Sequence, residues 1–174
     1  MVNAAIIGLG WWGKNLVDAV QGKSERLRFV HGVSKEPEAV REYAAAKGFR
    51  LSTDLSDAIA DPAVQAVVLA TPHSLHADQI VAVANAGKHV FCEKPLALKG
   101  ADAARAVDAC RRAGVVLGVG QNKRFWPCMV ELRRVVASGE LGQLMHVEGH
   151  YSNEHSSKFF SAAIPHAPPS SSAS

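Results

Sequence analysis

The chain has 174 residues, 48% hydrophobic and 20% charged, enough apolar material to bury the core of one domain and to begin a second, and too much for a disordered chain. Its 19 Lys+Arg against 16 Asp+Glu leave a net charge of +3, with basic residues scattered singly or in pairs such as Arg111-Arg112 among acids, so a nucleic-acid partner is not expected. The apolar runs fall short of the roughly 18 residues of a membrane span, and no basic segment or small-residue cleavage site marks a secretion signal near Met1, so neither membrane insertion nor secretion is expected.

In chain order, short apolar runs rich in β-branched residues alternate with alanine-rich segments of helical period. Ala4 to Ile7 reads as a strand and runs into Gly8-Leu9-Gly10-Trp11-Trp12-Gly13, which opens a helix. Leu27 to Val33 reads as the second strand, Glu36 to Lys47 as a helix, and Phe49 to Leu51 as a weaker strand. Thr53-Asp54 and Asp61-Pro62 supply cap and turn chemistry around a short helix, Leu55 to Ala60. The strand Ala66 to Ala70, the helix His76 to Ala86, the strand His89 to Cys92, the helix Ala101 to Ala113 and the strand Val115 to Val119 continue the rhythm. Three helices stop at a glycine, Gly48, Gly87 and Gly114, where a left-handed backbone is wanted. The pattern specifies an α/β fold, a doubly wound parallel sheet whose ligand crevice lies beyond the carboxyl ends of the strands. After Trp126-Pro127 comes an amphipathic helix to about Ser138, then the alternating run Leu144 to Tyr151, read as the first strand of another sheet.

The glycine loop stands where a dinucleotide fingerprint must stand, between a first strand and its helix. Gly8 allows the tight turn, Gly10 lets backbone amides approach a pyrophosphate, and Gly13 lets the helix pack close to the strand. Leu9, Trp11 and Trp12 belong to the same loop; the two tryptophans either flank the cofactor or cover the sheet edge. Where the second strand ends, a carboxylate would accept from both ribose hydroxyls. The chain has Ser34 and Lys35 there, a pair suited to a 2′-phosphate, which points to NADP as cofactor; the alternative is NAD, held by Glu36.

The glycine loop, the TPHSLHAD stretch, the AGKHVFCEKPLAL stretch and the VGQNKRFWP stretch, in this order and spacing over about residues 1 to 158, resemble the Gfo/Idh/MocA oxidoreductases, relatives of glucose-fructose oxidoreductase and inositol dehydrogenase. The resemblance implies an NAD(P)-binding Rossmann domain followed by an α+β domain that carries much of the substrate site. It implies hydride transfer between a nicotinamide and a sugar, polyol or related alcohol or carbonyl. Lys94 would act at the reacting oxygen, Glu93 would hold Lys94 and the cofactor ribose, and Pro95 would fix the loop. Thr71, Pro72 and His76 would line the cofactor cleft, with Asn122 and Arg124 near its nicotinamide end. The residues themselves leave His76 open to being a backbone-satisfied helix residue, and Arg124 to being an ion-pair partner.

His73, His89, His146, His150, His155 and His166 show no metal-ligand spacing, and no metal site is expected. Three widely spaced cysteines, Cys92, Cys110 and Cys128, fit a reducing cytoplasm. The family's aspartate-x-x-x-histidine pattern is missing, and from Ser161 the sequence becomes a Ser- and Pro-rich tail without Lys, Arg, Asp or Glu, expected to be disordered. The expectation is therefore a cofactor domain over 1–124, a linker helix and the first strand of an incomplete α+β domain over 125–160, and a tail over 161–174, from a truncated or frameshifted product. Two readings of activity follow: an oxidoreductase, or a nucleotide-binding module with little or no catalysis. Oligomers are possible on this reading, but with an incomplete interface domain.

Overall fold

The computed structural model describes residues 1–150. Six parallel strands form one sheet in the order β3-β2-β1-β4-β5-β6. They are β1 (Val2–Ile7), β2 (Leu27–Val33), β3 (Arg50–Ser52), β4 (Ala66–Leu69), β5 (His89–Cys92) and β6 (Leu117–Val119). Between them run α1 (Trp11–Val20), α2 (Arg41–Lys47), α3 (Leu55–Ala60), α4 (His76–Asn85) and α5 (Gly100–Ala113). The direction reverses at β1: chain order runs outward through β2 and β3 on one side, then through β4, β5 and β6 on the other. That is a doubly wound sheet with its switch point between β1 and β4.

Alternation along each strand feeds two cores. Ala5, Ile7, Val67, Leu69, Val90 and Cys92 face one layer, where Ile80, Val83 and Ala84 of α4 and Ala106, Ala109 and Cys110 of α5 close over them. Ala4, Ile6, Phe29 and Val68 face the other, under Val17 of α1 and Ala44 of α2. Both faces of the central strands are thus buried, which is why these runs are continuously apolar.

The three helix-ending glycines adopt left-handed backbones, with φ of 72° at Gly48, 70° at Gly87 and 66° at Gly114. Each carries the paired bonds of a Schellman motif. After α5, for example, Gly114 N donates to Arg111 O and Val115 N to Cys110 O. This corrects two strand starts. Val115 and Phe49 spend their N–H groups on the preceding helices, so β6 begins at Leu117 and β3 at Arg50. The helix expected over Glu36 to Lys47 divides into a 3-10 turn, Glu38–Val40, and α2. The division falls at Val40, whose φ of −127° and ψ of 6° are not helical.

The chain separates into two compact units between Trp126 and Pro127, two residues past the boundary read from the sequence. Within the second unit α6 (Pro127–Ser138) is helical, and Arg134 pairs with Glu131 and Glu140. The strand expected over Leu144 to Tyr151 is not seen in its described part: residues 144–150 join no ladder among the described residues, and strand geometry needs a partner for its N–H and C=O groups. The remainder of that run, His155, His166 and the Ser/Pro tail lie outside the described residues.

Candidate functional site

The glycine loop is built by two requirements of space and one of openness. Gly8 ends β1 with φ +93°, donates its N–H to Val33 O, and lies so close to β4 that a Cβ would meet Ala70 O at 2.6 Å. Gly13 packs α1 onto the loop; a Cβ there would meet Gly8 O at 1.9 Å. Gly10 is different. Its φ of −69° suits any residue, and nothing stands within 4 Å of where a Cβ would be. It is the N-cap of α1, no side chain caps that helix, and its first turn holds no carboxylate. The helix start is therefore an electropositive backbone cradle, with open space beside Gly10.

The cradle opens on a cleft of about 660 Å³ beyond the carboxyl ends of β1, β2, β3 and β4. The cleft brings together seven of the expected residues: Gly8, Leu9, Gly10, Ser34, Lys35, Thr71 and Pro72. Ser34 accepts from Glu36 N through its Oγ (3.3 Å), which leaves its hydroxyl proton free to donate. Asp54 caps α3 by accepting from Ser56 N at 2.7 Å, and that bond, with the Lys35 charge a smaller influence, holds its carboxyl below the usual range. Thr71 donates to Gln79 Oε1 at 2.5 Å, which leaves the Gln79 amide nitrogen for other partners.

Lys14, Thr53, Leu55, Leu75 and Gln79 also line the cleft, and the sequence assigns none of them a binding role. Lys14 had a readable signal, since it stands one helical turn above Gly10. The inventory of amides, ammonium groups, hydroxyls and apolar walls at Leu9, Val33 and Leu55 fits a dinucleotide, which needs its phosphates neutralised, its riboses hydrogen-bonded and its rings covered.

The other expected residues lie elsewhere. Trp11 is 70% exposed and Trp12 37%, and they form a tilted pair with ring centroids 5.4 Å apart and an interplanar angle of 42°. His76 does not line the cleft as expected. It is fully buried, with Nδ1 2.7 Å from Pro95 O and Nε2 3.0 Å from Thr71 O, so it ties the turn after β4 to the loop after β5. A neutral imidazole carries one N–H, so it donates to one of these carbonyls at a time.

Glu93 follows β5 and is buried, its carboxyl filling the place of a side chain at Gly120, where a Cβ would meet Glu93 Cδ at 2.8 Å. Lys94 N donates to Glu93 Oε2 at 3.3 Å, the Lys94–Pro95 bond is cis, and the Lys94 side chain is exposed, with no ion pair among the described residues. Asn122 and Arg124 belong to an exposed 3-10 turn, Asn122–Phe125, beyond β6. Arg124 lies 5.7 Å from the Phe125 ring centroid and makes no ion pair among the described residues.

A second cleft, about 470 Å³, holds Ser52, His31 and Asp61 in an order that invites comparison with a hydrolytic triad. The protons argue otherwise. Arg50 Nε donates to His31 Nδ1 (3.2 Å), so the ring proton sits on Nε2 and is given to Ser52 Oγ (2.9 Å). A serine that receives a proton's hydrogen bond is not being deprotonated, and burial, with the Arg50 charge, keeps His31 below the usual histidine range. The cluster is an anchor, with Arg50 pairing to Asp61 at 3.1 Å. Among the described residues no group of His, Cys, Asp or Glu is placed to hold a metal, and no helix is long and apolar enough to cross a membrane.

Comparison with known proteins gives this geometry a lineage. Residues 2–121 match the family model described as oxidoreductase family, NAD-binding Rossmann fold, of the Gfo/Idh/MocA group. The chain is 37% identical over 149 residues to 4-carboxy-2-hydroxymuconate-6-semialdehyde dehydrogenase of Sphingobium, covering 84% of this chain and 47% of that protein. It is 32% identical to scyllo-inositol 2-dehydrogenase (NAD(+)) of Bacillus subtilis, covering 85% and 44%. Among solved structures, the WlbA dehydrogenase of Bordetella pertussis in complex with NADH and UDP-GlcNAcA superposes with a TM-score of 0.77 at 35% identity, over 82% of this chain and 41% of that one. The chain thus spans a little under half the length of the relatives it matches. With the family model covering most of its length, the chain belongs to the Gfo/Idh/MocA oxidoreductases, and its described sheet is their NAD-binding Rossmann domain.

Proposed function

We propose that this chain supplies the coenzyme site of an NAD(P)-dependent oxidoreductase acting on an alcohol or carbonyl of a sugar, polyol or related compound. The observation that carries the proposal is Gly10: a residue free to be anything by backbone angle and by space is glycine, at the start of α1, a helix end that no side chain caps and that opens into the cleft. The bound nicotinamide would supply a hydride acceptor or donor. Holding it would fall to the chain's own groups. The α1 amides hold the pyrophosphate, Leu9, Val33 and Leu55 cover apolar surface, and the hydroxyls of Ser34, Thr53 and Thr71 serve the riboses.

Lys94 follows β5, two strand spacings from β1 across the parallel sheet, or about 10 Å. Its exposed ammonium would stand beside the reacting oxygen, stabilising the alkoxide formed as hydride departs or polarising the carbonyl that receives it. Buried Glu93 and His76 would set the position of that loop. Ser34 and Lys35 favour the 2′-phosphate of NADP. The free thiols of Cys92, Cys110 and Cys128 support a reducing compartment, the cytoplasm.

The test is a titration of the purified chain with NADPH and NADH, read by quenching of Trp11 and Trp12, followed by turnover across a panel of sugars and polyols. Saturable binding is expected, and any turnover should fall by at least about 100-fold in Lys94→Ala with nucleotide affinity unchanged. A folded chain that binds neither nucleotide overturns the proposal; turnover indifferent to Lys94→Ala removes that residue's role.

A further inference from the structure

Lys14 is a cation in the wall of the cleft that no motif accounts for. It rises from the first turns of α1, with its N–H bonded to Gly10 O, and lines the cleft with Ser34 and Lys35, which come from a different element. Its ammonium is held 5.2 Å from the centre of the Tyr43 ring, a contact that fixes the side chain without neutralising it.

The acids around it are engaged by others. Asp18 pairs with Lys47 at 2.6 Å and accepts from the Tyr43 hydroxyl at 3.0 Å. Glu38 is paired with Arg41, and Asp54 is committed to the Ser56 amide. Glu36, exposed on the same wall, makes no ion pair with Lys14 or any other cation among the described residues. A half-buried lysine whose ammonium lies over a ring in a cleft, with no carboxylate paired to it, is arranged for an anion that comes from outside.

We propose that Lys14 is a specificity-determining residue: with Lys35 and the Ser34 hydroxyl it forms the subsite for the 2′-phosphate on the adenosine ribose, selecting NADP(H) over NAD(H). The inference rests on the coenzyme reading above and adds to it the group that does the selecting. A dianionic phosphate met by two ammonium groups from α1 and from the end of β2, and by one hydroxyl, has its charge matched from two sides. A 2′-hydroxyl gains little from the same arrangement.

The experiment compares dissociation constants of NADPH and NADH, and of 2′,5′-ADP and 5′-ADP as probes of the subsite alone, for the parent chain, Lys14→Gln and Lys14→Arg, with circular dichroism confirming the fold of each. NADPH and 2′,5′-ADP are expected to bind the parent more tightly than NADH and 5′-ADP. Lys14→Gln should weaken the two 2′-phosphorylated ligands by about tenfold, the low end for a charge-assisted bond in a half-open site, while the other two stay within about twofold. Lys14→Arg should retain the preference. Equal weakening of all four ligands in Lys14→Gln would assign the residue to the pyrophosphate and overturn the inference, as would a parent chain that prefers NADH. Failure of every ligand to bind a folded parent would instead bring down the coenzyme reading itself.

Discussion

Gly10→Ala separates a binding role from a structural one, because its neighbours in the loop make such different demands. At Gly10 the backbone is already in a region alanine adopts, and a Cβ would meet nothing within 4 Å. Alanine is a poorer N-cap than glycine, but it restricts the unfolded chain, and each effect is about 0.5–1 kcal/mol in opposite directions. Net stability should stay within about 1 kcal/mol of the parent. At Gly13 the added Cβ would sit 1.9 Å from Gly8 O, far inside the 3.4 Å where ordinary contact begins, and the obstacle is backbone with no rotamer to yield. Gly13→Ala must push α1 off the loop, at about 3 kcal/mol or more. Urea midpoints give the stabilities, and nucleotide titration gives the binding. Gly10→Ala should keep its midpoint and lose at least about tenfold in NADH or NADPH affinity, since the methyl group occupies the phosphate cradle. Unchanged affinity in Gly10→Ala, or a loss of stability as large as that of Gly13→Ala, would refute the reasoning.

His76→Ala removes a buried ring and the hydrogen bond it donates to the Thr71 or Pro95 carbonyl, so a loss of about 2–4 kcal/mol is expected by urea denaturation; a loss below about 1 kcal/mol would show that the two loops do not depend on it. His31 is kept below the usual histidine value by burial and then by Arg50, so the unfolded chain takes up the proton first. Its contribution to stability is complete above about pH 6.5 and is lost as pH falls below that value toward the folded-state one; His31→Gln should flatten the fall in urea midpoint between about pH 8 and about pH 5, and an identical slope would contradict this. Burial pushes the Cys92 thiol up to about 12, with the neighbouring Glu93 charge adding to it, and raises Cys110 by burial alone. Both should resist Ellman's reagent at about pH 8 until the chain is unfolded, whereas prompt reaction of either would place it outside the core.

The sheet was legible because its signals are local. Continuous apolar runs such as Ala66 to Leu69 at regular spacing between helical segments suit strands buried on both faces of a parallel sheet, and glycines 48, 87 and 114 mark where helices must stop. The strand starts at 49 and 115 were misread for a reason also local to those residues: in a Schellman motif the residue after the glycine still serves the helix. The order of the three loop glycines in the motif already suggests different tasks, and the structure adds the distances: a Cβ at Gly13 would meet backbone at 1.9 Å, and one at Gly10 would meet nothing within 4 Å. Lys14, Leu55 and Gln79 reach the cleft from helices whose motif, if any, serves another purpose, so their convergence is a property of the fold alone. His76 was the reverse case, a residue with a motif whose ring the structure turns into the interior. The run from Leu144 alternates as a strand should, but alternation describes a surface waiting for a partner and does not supply one.

The central claim is that a pyridine dinucleotide lays its pyrophosphate against the amides at the start of α1. Amide chemical shifts measured by 15N NMR on the chain, with and without saturating NADH or NADPH, test it most directly. The largest shifts are expected at residues 8–14 and 34–35, with the helices remote from the cleft, such as α5, unmoved. Saturation that leaves Gly10 and its neighbours unshifted while perturbing another surface would contradict it.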